Sequence, residues 1–432
     1  MLKRAKALGD HLTVGVTTEH YDLMRGKLNL ADPIMTRIEN VEKTGFADEI
    51  IVEDHEGQKI EDIQRYGIDV FTLGSDWEGR FDYLKQYCEV VYLPRTAGIS
   101  STLLREGRHK IVRIGIIGTG RIAPRFFKET SYVSGIEVVN AYNPEKDSAK
   151  AFEDQYQVHT YTDDFDQFLS ETDAVYVASP NETHSDYVRK ALNAGRHVLC
   201  EKPMTFTYAE AAELYELAER QKVTLMEGIR TAYMPGFMQL LSVAKSGKIG
   251  EICDVEACFT RLGVPGSREM SDAKYSGAFL EYGSYTILPI FKLFGKDYKD
   301  VRIECIYGKD GIDIFTKVIF YYDNKLGMAK SGAGVKSEGQ LVIAGTQGYI
   351  LAKSPWWLTK EFDVRYEDPN RVEHYEATFV GEDGLRYEIA EFVSKINGTG
   401  GNDYKLTAEE SIAMAHVVEK FMKQRKAYQE SL

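Results

Sequence analysis

The tightest constraint on this chain lies at residues 111–123. Ile111-Val112-Arg113-Ile114-Gly115-Ile116-Ile117 is a β-branched run of strand length. It feeds directly into Gly118-x-Gly120-x-x-Ala123, and a helical pattern follows. A buried strand that turns into a helix over two glycines has few structural solutions. The first glycine permits the tight turn, the second lets backbone approach a pyrophosphate, and the small third residue lets helix pack on sheet. The same turn aims the first helical N–H groups at a bound anion. Gly118, Gly120, Arg121 and Ile122 are therefore candidates for holding a dinucleotide.

The neighbouring sequence repeats the rhythm. Strands at 136–142, 174–178 and 197–200 alternate with helices at 145–156, 182–194 and 207–221. Such alternation predicts an α/β domain with a parallel sheet covered on both faces, a Rossmann domain over 111–235. Thr207-Tyr208-Ala209-Glu210 and Thr407-Ala408-Glu409-Glu410 read as capping boxes opening helices at 207–221 and 408–427. The acidic residue expected about 20 residues after the glycines is replaced by Asn143, which can still bond a ribose hydroxyl. Only Lys146 stands ready for a 2′-phosphate and no Arg is present, so NAD and NADP both stay open, with the balance towards NAD.

Upstream, residues 1–107 show a separate βα series, with strands at 12–16, 49–52, 69–73 and 90–94 and helices at 34–44 and 58–66, again predicting a parallel sheet. The polar segment 105–110 reads as a linker. Downstream, 236–432 carries long strand patterns at 251–261, 301–307, 312–322, 325–332, 339–344 and 371–379. Hairpin turns such as Tyr322-Asp323-Asn324-Lys325 make this an α+β domain with a large, mainly antiparallel sheet. The final helix is expected to pack back on the Rossmann domain. Three domains suit 432 residues at about 150 per domain.

Charge narrows the partners. A formal net charge of −13 repels phosphate backbones, so nucleic acid is not expected. No apolar run approaches membrane-spanning length. Five cysteines without a C-x-x-C pair point to a reduced, cytoplasmic chain and give no metal site.

Three ordered motifs carry a family resemblance. They are Ser179-Pro180-Asn181-Glu182-Thr183-His184, then Ala194-Gly195-Arg196-His197-Val198-Leu199-Cys200-Glu201-Lys202-Pro203, then Gly277-Ala278-Phe279-Leu280-Glu281-Tyr282-Gly283-Ser284-Tyr285. Over about 111–428 the chain resembles the Gfo/Idh/MocA family of NAD(P)-dependent oxidoreductases. The resemblance implies that Ser179, Pro180, Asn181, His184, Glu201 and Pro203 belong to the cofactor site. It implies that Lys202 contacts the reacting substrate oxygen, that Tyr285 holds the position of the catalytic acid, and that Glu281 stands where Asp is usual. An ammonium at Lys202 is expected to lower the phenol pKa of Tyr285 from about 10. Glu281 and Tyr285, at i and i+4, are expected on one helix face. Met226–Pro235 is similar to a segment of the dihydrodiol dehydrogenase and glucose–fructose oxidoreductase branch, from which Arg230 and Ala232 depart. The family further implies a small sugar or polyol substrate and a homo-oligomer, dimer or tetramer.

Residues 1–107 resemble a second family. Asp69-Val70-Phe71-Thr72-Leu73-Gly74-Ser75-Asp76-Trp77-Glu78-Gly79-Arg80-Phe81-Asp82, Arg95-Thr96-Ala97-Gly98-Ile99-Ser100-Ser101-Thr102 and Ala5-Lys6-Ala7-Leu8-Gly9-Asp10 are similar to motifs of glycerol-3-phosphate cytidylyltransferases. The resemblance implies CTP as nucleotide, with Lys27, Arg95, Ser100, Ser101 and Thr102 on its phosphates and Trp77 near its base. The family's H-x-G-H histidines would fall before Met1, so this module is expected to keep the nucleotidyltransferase-like fold in truncated form without that catalytic pair. The alternative reading is a cytidylyltransferase in a longer natural chain, with the dehydrogenase part as its partner.

Overall fold

The computed structural model describes the chain except residues 25–26, 29–33, 56, 95–110, 265, 309, 378–380, 382, 399–404 and 432. The chain forms two compact units, Met1–Ile111 with Thr130–Glu137, and Val112–Glu129 with Val138–Leu432.

The first unit begins with a short helix, Leu2–Lys6, and contains β1 (Thr13–Thr17), β2 (Glu49–Glu53), β3 (Val70–Gly74) and β4 (Glu89–Leu93). Helices Ile34–Thr44 and Gln58–Tyr66 stand where the sequence predicts them, and Glu19–Met24 adds one within the polar stretch. The single parallel sheet expected here is instead two parallel pairs, β1 with β2 and β3 with β4. No strand among the described residues joins one pair to the other.

The second unit holds two sheets. The first comprises β5 (Val112–Ile117), β6 (Ile136–Tyr142), β7 (Thr160–Thr162), β8 (Ala174–Val177), β9 (His197–Glu201) and β10 (Leu225–Gly228), in the order β10-β9-β8-β5-β6-β7. The pairs β10–β9, β9–β8, β8–β5 and β6–β7 are parallel. Ile114, Ile116, Val175, Tyr176, Val177, Val198 and Leu199 are fully buried, as strands covered on both faces require. Strand order reverses at β5, so the Gly118 turn sits at the switch point where doubly wound sheets bind ligands.

The second sheet comprises β11 (Ile252–Thr260), β12 (Asp300–Tyr307), β13 (Asp313–Tyr321), β14 (Leu326–Gly332), β15 (Leu341–Gly345), β16 (Tyr349–Ala352), β17 (Glu361–Arg365) and β18 (Val372–Glu376), in the order β12-β13-β14-β11-β15-β16-β17-β18. It is antiparallel apart from the parallel β11–β14 pair. The β13–β14 hairpin turns where expected, with Asn324 in the left-handed region (φ 56°) and Tyr322 N–H bonded to Lys325 O at 3.0 Å. The sequence reading did not include β16 and β17, which are short strands near one edge.

One helix, Ala278–Phe294, lies across this sheet and is buried on nearly every side, consistent with its apolar composition. Asp313 caps it, accepting the Phe279 N–H at 2.8 Å. Gly277, at φ 113°, approaches that carboxylate so closely that a Cβ would collide with it. The last helix, Ala408–Glu430, opens with the full capping box at Thr407. It packs on helix Tyr208–Gln221, where Tyr208 N–H donates to Glu419 Oε2 at 3.0 Å.

Candidate active site

Gly118 adopts φ +91°, and a Cβ there would sit 2.8 Å from Ala178 O and from Ser179 N and Cα. Only glycine fits. Gly120 is the opposite case, with nothing within 4 Å of where a Cβ would stand. That open space borders the N-terminus of helix Ala123–Thr130. A backbone pressed against the neighbouring strand end on one side and left bare on the other fits a dinucleotide phosphate. Asn143 Nδ2 donates to Thr119 Oγ1 at 2.9 Å, and Ser148 Oγ lies 2.8 Å from Thr119 Oγ1. This hydroxyl-rich corner ends β6 without a carboxylate. Lys146 is exposed, 3.5 Å from Asp163 Oδ1.

The end of β8 is held by its own side chains. Thr183 Oγ1 lies 2.7 Å from both Pro180 O, which accepts its proton, and Ser179 Oγ, and Asn181 Nδ2 reaches Tyr275 O at 3.4 Å. His184 is buried between two backbone carbonyls, Pro203 O at 2.9 Å from Nδ1 and Ser179 O at 2.8 Å from Nε2. Burial pushes its pKa below the ordinary value, against the pull of both carbonyls. The ring therefore braces the Ser179 strand end against the cis Lys202–Pro203 turn.

Lys202 follows β9. Its Nζ donates to the Glu281 carbonyl at 2.9 Å and lies 3.4 Å from Glu281 Oε2. Burial opposes the ammonium charge, but Glu281, Tyr285 and Glu201 outweigh it and hold the Lys202 pKa above the ordinary value. Lys202 foremost, then Arg121 at 3.3 Å, hold the Glu281 carboxylate below its usual range despite burial. Glu281 and Tyr285 do share one helix, one turn apart.

Tyr285 is buried, with Lys202 Nζ and Arg230 Cζ each 5.9 Å from its ring centroid. The expected lowering of its phenol is not the net result. Burial pushes the pKa above 10; Arg230 and Lys202 pull it down, while Glu201 and Glu388 push it up. A phenol set this way keeps its proton at neutral pH, and its two cationic neighbours favour the phenolate left when the proton departs. Glu201 accepts a 2.5 Å bond from Tyr176 OH.

The decisive comparison is of sequence families. Residues 112–229 match the oxidoreductase family with NAD-binding Rossmann fold, GFO/IDH/MocA, residues 237–351 match the GFO/IDH/MocA C-terminal domain, and residues 1–107 match the cytidylyltransferase-like family. The chain is a GFO/IDH/MocA oxidoreductase with a cytidylyltransferase-like N-terminal part. It is 28% identical over 324 residues to scyllo-inositol 2-dehydrogenase (NADP(+)) IolU of Bacillus subtilis, covering 73% of this chain and 97% of that one. Its N-terminal part is 45% identical over 106 residues to glycerol-3-phosphate cytidylyltransferase of Bacillus spizizenii, covering 24% of this chain and 81% of that one. Its fold is similar to KijD10, a 3-ketoreductase from Actinomadura kijaniata solved with NADP and TDP-benzene (TM-score 0.63, 22% identity, 72% and 96% covered).

In the cytidylyltransferase-like part of this oxidoreductase, Arg95, Ser100, Ser101 and Thr102 lie outside the described residues. Lys27 is half-buried, its N–H bonded to Asp22 O at 2.9 Å. Trp77 ends a 3-10 turn, Ser75–Trp77, with its ring edge-on to Phe81 at 6.0 Å and Arg80 5.4 Å from its centroid.

Two charged residues beside the oxidoreductase site lie outside the sequence-derived set. Arg230 enters that reading only as a departure from a motif. Glu388 sits among Leu385, Ile389 and Phe392, on the buried side of helix Leu385–Ile396. A glutamate on an apolar stripe was the available signal.

Proposed function

We propose that this oxidoreductase transfers a hydride between NADP(H) and a hydroxyl–carbonyl pair of a sugar or polyol, with Lys202 and Tyr285 managing the proton. The observation that carries the reading is the convergence of Lys202, Glu281 and Tyr285 at the C-terminal edge of the parallel sheet, beside the Gly118 turn. When bound, the nicotinamide accepts or supplies the hydride. Gly118, Gly120, Arg121 and Ile122 would hold the pyrophosphate, Asn143 the ribose, and Ser179, Pro180, Asn181, Glu201 and Pro203 the nicotinamide side, with His184 bracing that wall.

In the reduction direction Tyr285 gives its phenolic proton to the oxygen that gains negative charge, and Lys202 steadies that oxygen and the phenolate. In oxidation the same phenolate takes the hydroxyl proton. Glu281 keeps Lys202 charged and aimed. We place NADP ahead of the sequence-based lean to NAD. Asn143, in its hydroxyl-rich corner with Thr119 and Ser148, stands where a carboxylate would repel a 2′-phosphate, and the B. subtilis relative is named for NADP(+). Polyols, inositols and nucleotide-linked sugars, assayed by nicotinamide absorbance with NAD(H) and NADP(H), test the reading. No turnover of any of them, with cofactor bound, refutes it.

A second reading concerns residues 1–107, where 45% identity to a glycerol-3-phosphate cytidylyltransferase supports a site for CTP or a CDP-linked polyol. Calorimetric titration with CTP tests it, and no heat of binding refutes it. We further propose domain limits at 1–107, 111–235 and 236–432, a cytoplasmic location and a dimer or tetramer. Exposed Ile306, Leu326, Tyr349 and Val372 on the eight-stranded sheet support the assembly, which light scattering measures. No helix among the described residues is long and apolar enough to cross a membrane.

A further inference from the structure

Behind Tyr285 lies a carboxyl group that the hydride-transfer reading does not use. Glu388 is fully buried, and among the described residues neither of its carboxyl oxygens has a hydrogen-bond partner. Its position over the sheet is defined. Gly228 of β10 pairs in register with Glu201 of β9, and a Cβ on Gly228 would stand 3.7 Å from Glu388 Oε2. A glycine there leaves room for the Glu388 carboxyl.

The groups facing Glu388 come from every surrounding element. Glu201 stands on β9, and Tyr176 on β8, its hydroxyl already given to Glu201 at 2.5 Å. Arg230 and Tyr233 come from the 3-10 turn Arg230–Tyr233, and Tyr285 from the long helix. Glu391 lies one turn beyond Glu388 on helix Leu385–Ile396, committed to Lys405 through Oε2. Arg230 is the cation that opposes the shift of Glu388, but its Nε makes no hydrogen bond among the described residues, and its Nη1 lies 3.9 Å from Asp383 Oδ1. Asp383 in turn is held by Arg125, with Nε at 2.5 Å from Oδ2.

Burial without a hydrogen-bond partner disfavours the charged form of a carboxyl group. Tyr176 gives its hydroxyl to Glu201; Glu388 receives no hydrogen bond among the described residues. Glu388 therefore keeps its proton, and burial followed by the Glu201 charge pushes its carboxyl well above the usual carboxylate range, with Arg230 opposing.

We propose that Glu388 is held as a neutral carboxylic acid in the buried space beside Gly228, and that it is a positioning residue that limits the negative charge facing Tyr285. While Glu388 is neutral it adds no negative charge against the two cations beside Tyr285, Lys202 and Arg230. Loss of its proton adds a negative charge and holds the phenol proton more tightly. The proposal rests on the oxidoreductase reading only for what Tyr285 does in turnover, so both of its tests are free of turnover.

The infrared difference between the parent protein and Glu388→Gln at neutral pH is expected to show the carbonyl stretch of one protonated carboxylic acid, lost in the variant. Glu388→Leu serves the same comparison should the amide disturb packing. The ionisation of Tyr285 is read from the phenolate absorbance that disappears on Tyr285→Phe, in the parent and in the Glu388→Gln background. Its midpoint is expected to be lower by about one pH unit in Glu388→Gln, because the amide cannot acquire the charge that the parent carries at alkaline pH. A spectrum without the acid band overturns the neutral Glu388. A midpoint that does not move overturns the link to Tyr285. Lack of turnover with both expected results in place would count against the hydride-transfer reading alone.

Discussion

Replacing Lys202 by methionine tests the site at its centre. The side chain keeps its approximate length and loses its charge. Lys202 Nζ lies 3.4 Å from Glu281 Oε2, and at an effective dielectric of about 20 that pair interacts by about 5 kcal/mol before desolvation is counted. The same charge is 5.9 Å from the Tyr285 ring centroid, where it is worth about 3 kcal/mol to the phenolate, or about two pKa units. The Lys202→Met change therefore leaves Glu281 with Arg121 as its remaining cation and raises a phenol that burial has already raised. We expect the hydride-transfer rate in single turnover to fall by about 10²–10⁴-fold. Its alkaline limb should move up by about one to two pH units on that estimate. Calorimetric affinity for NADPH should change less than about threefold, because the Gly118–Ile122 turn is untouched. Equal loss of affinity and rate would refute the assignment, since Lys202 would then be holding cofactor and not the reacting oxygen. An unchanged rate would refute it outright.

Gly118→Ala puts a Cβ 2.8 Å from Ala178 O and Ser179 backbone atoms at φ +91°. We expect about 2–4 kcal/mol of destabilisation and weakened NADPH binding, read from melts with and without cofactor; an unchanged melt in both refutes the turn geometry. Asp313 carries a carboxyl that burial raises from 3.8 to about 6. The folded state therefore keeps a proton that the unfolded chain has already lost, so this stabilising contribution is full below about pH 4 and is lost as pH rises through about 6. Asp313→Asn keeps an acceptor for Phe279 N–H and should gain stability relative to the parent across that window, whereas a pH-independent difference contradicts the sign. Thr407→Ala removes the hydroxyl half of the capping box on the last helix, leaves the residue-407 N–H bonded to Glu410, and should cost about 1 kcal/mol in denaturant melts.

Much of this was legible in the sequence because backbone demands leave narrow residue choices. A strand ending in Gly118-x-Gly120 can hardly do anything else, and the two Thr-x-x-Glu starts placed Tyr208–Gln221 and Ala408–Glu430 to within a few residues. The Glu281–Tyr285 face followed from helical spacing. What escaped depends on long-range placement. The net direction of the Tyr285 shift hangs on how deeply the phenol is buried, and burial is a property of the packed helix, not of the motif. His184 enters the sequence reading as a cofactor-site residue, and its bracing of the strand end shows only once its two carbonyl partners, at 179 and 203, are seen. Glu388 was hidden by type: a glutamate in a helix is usually solvated, and only β10 packed beneath it shows otherwise. The parallel β11–β14 pair could not be read locally, because both strands carry ordinary hairpin patterns.

Lys202 reaches the long helix through a main-chain oxygen, the carbonyl of Glu281. In an α-helix that carbonyl is also the acceptor for the N–H four residues on, which belongs to Tyr285. The amine and the phenol are thus moored to a single peptide group, and neither can drift without dragging that turn along. The mooring does not depend on which side chain occupies position 281. The acid there can be traded for a shorter or neutral one, retuning the charge on the amine, while the spacing between the two reacting groups is preserved.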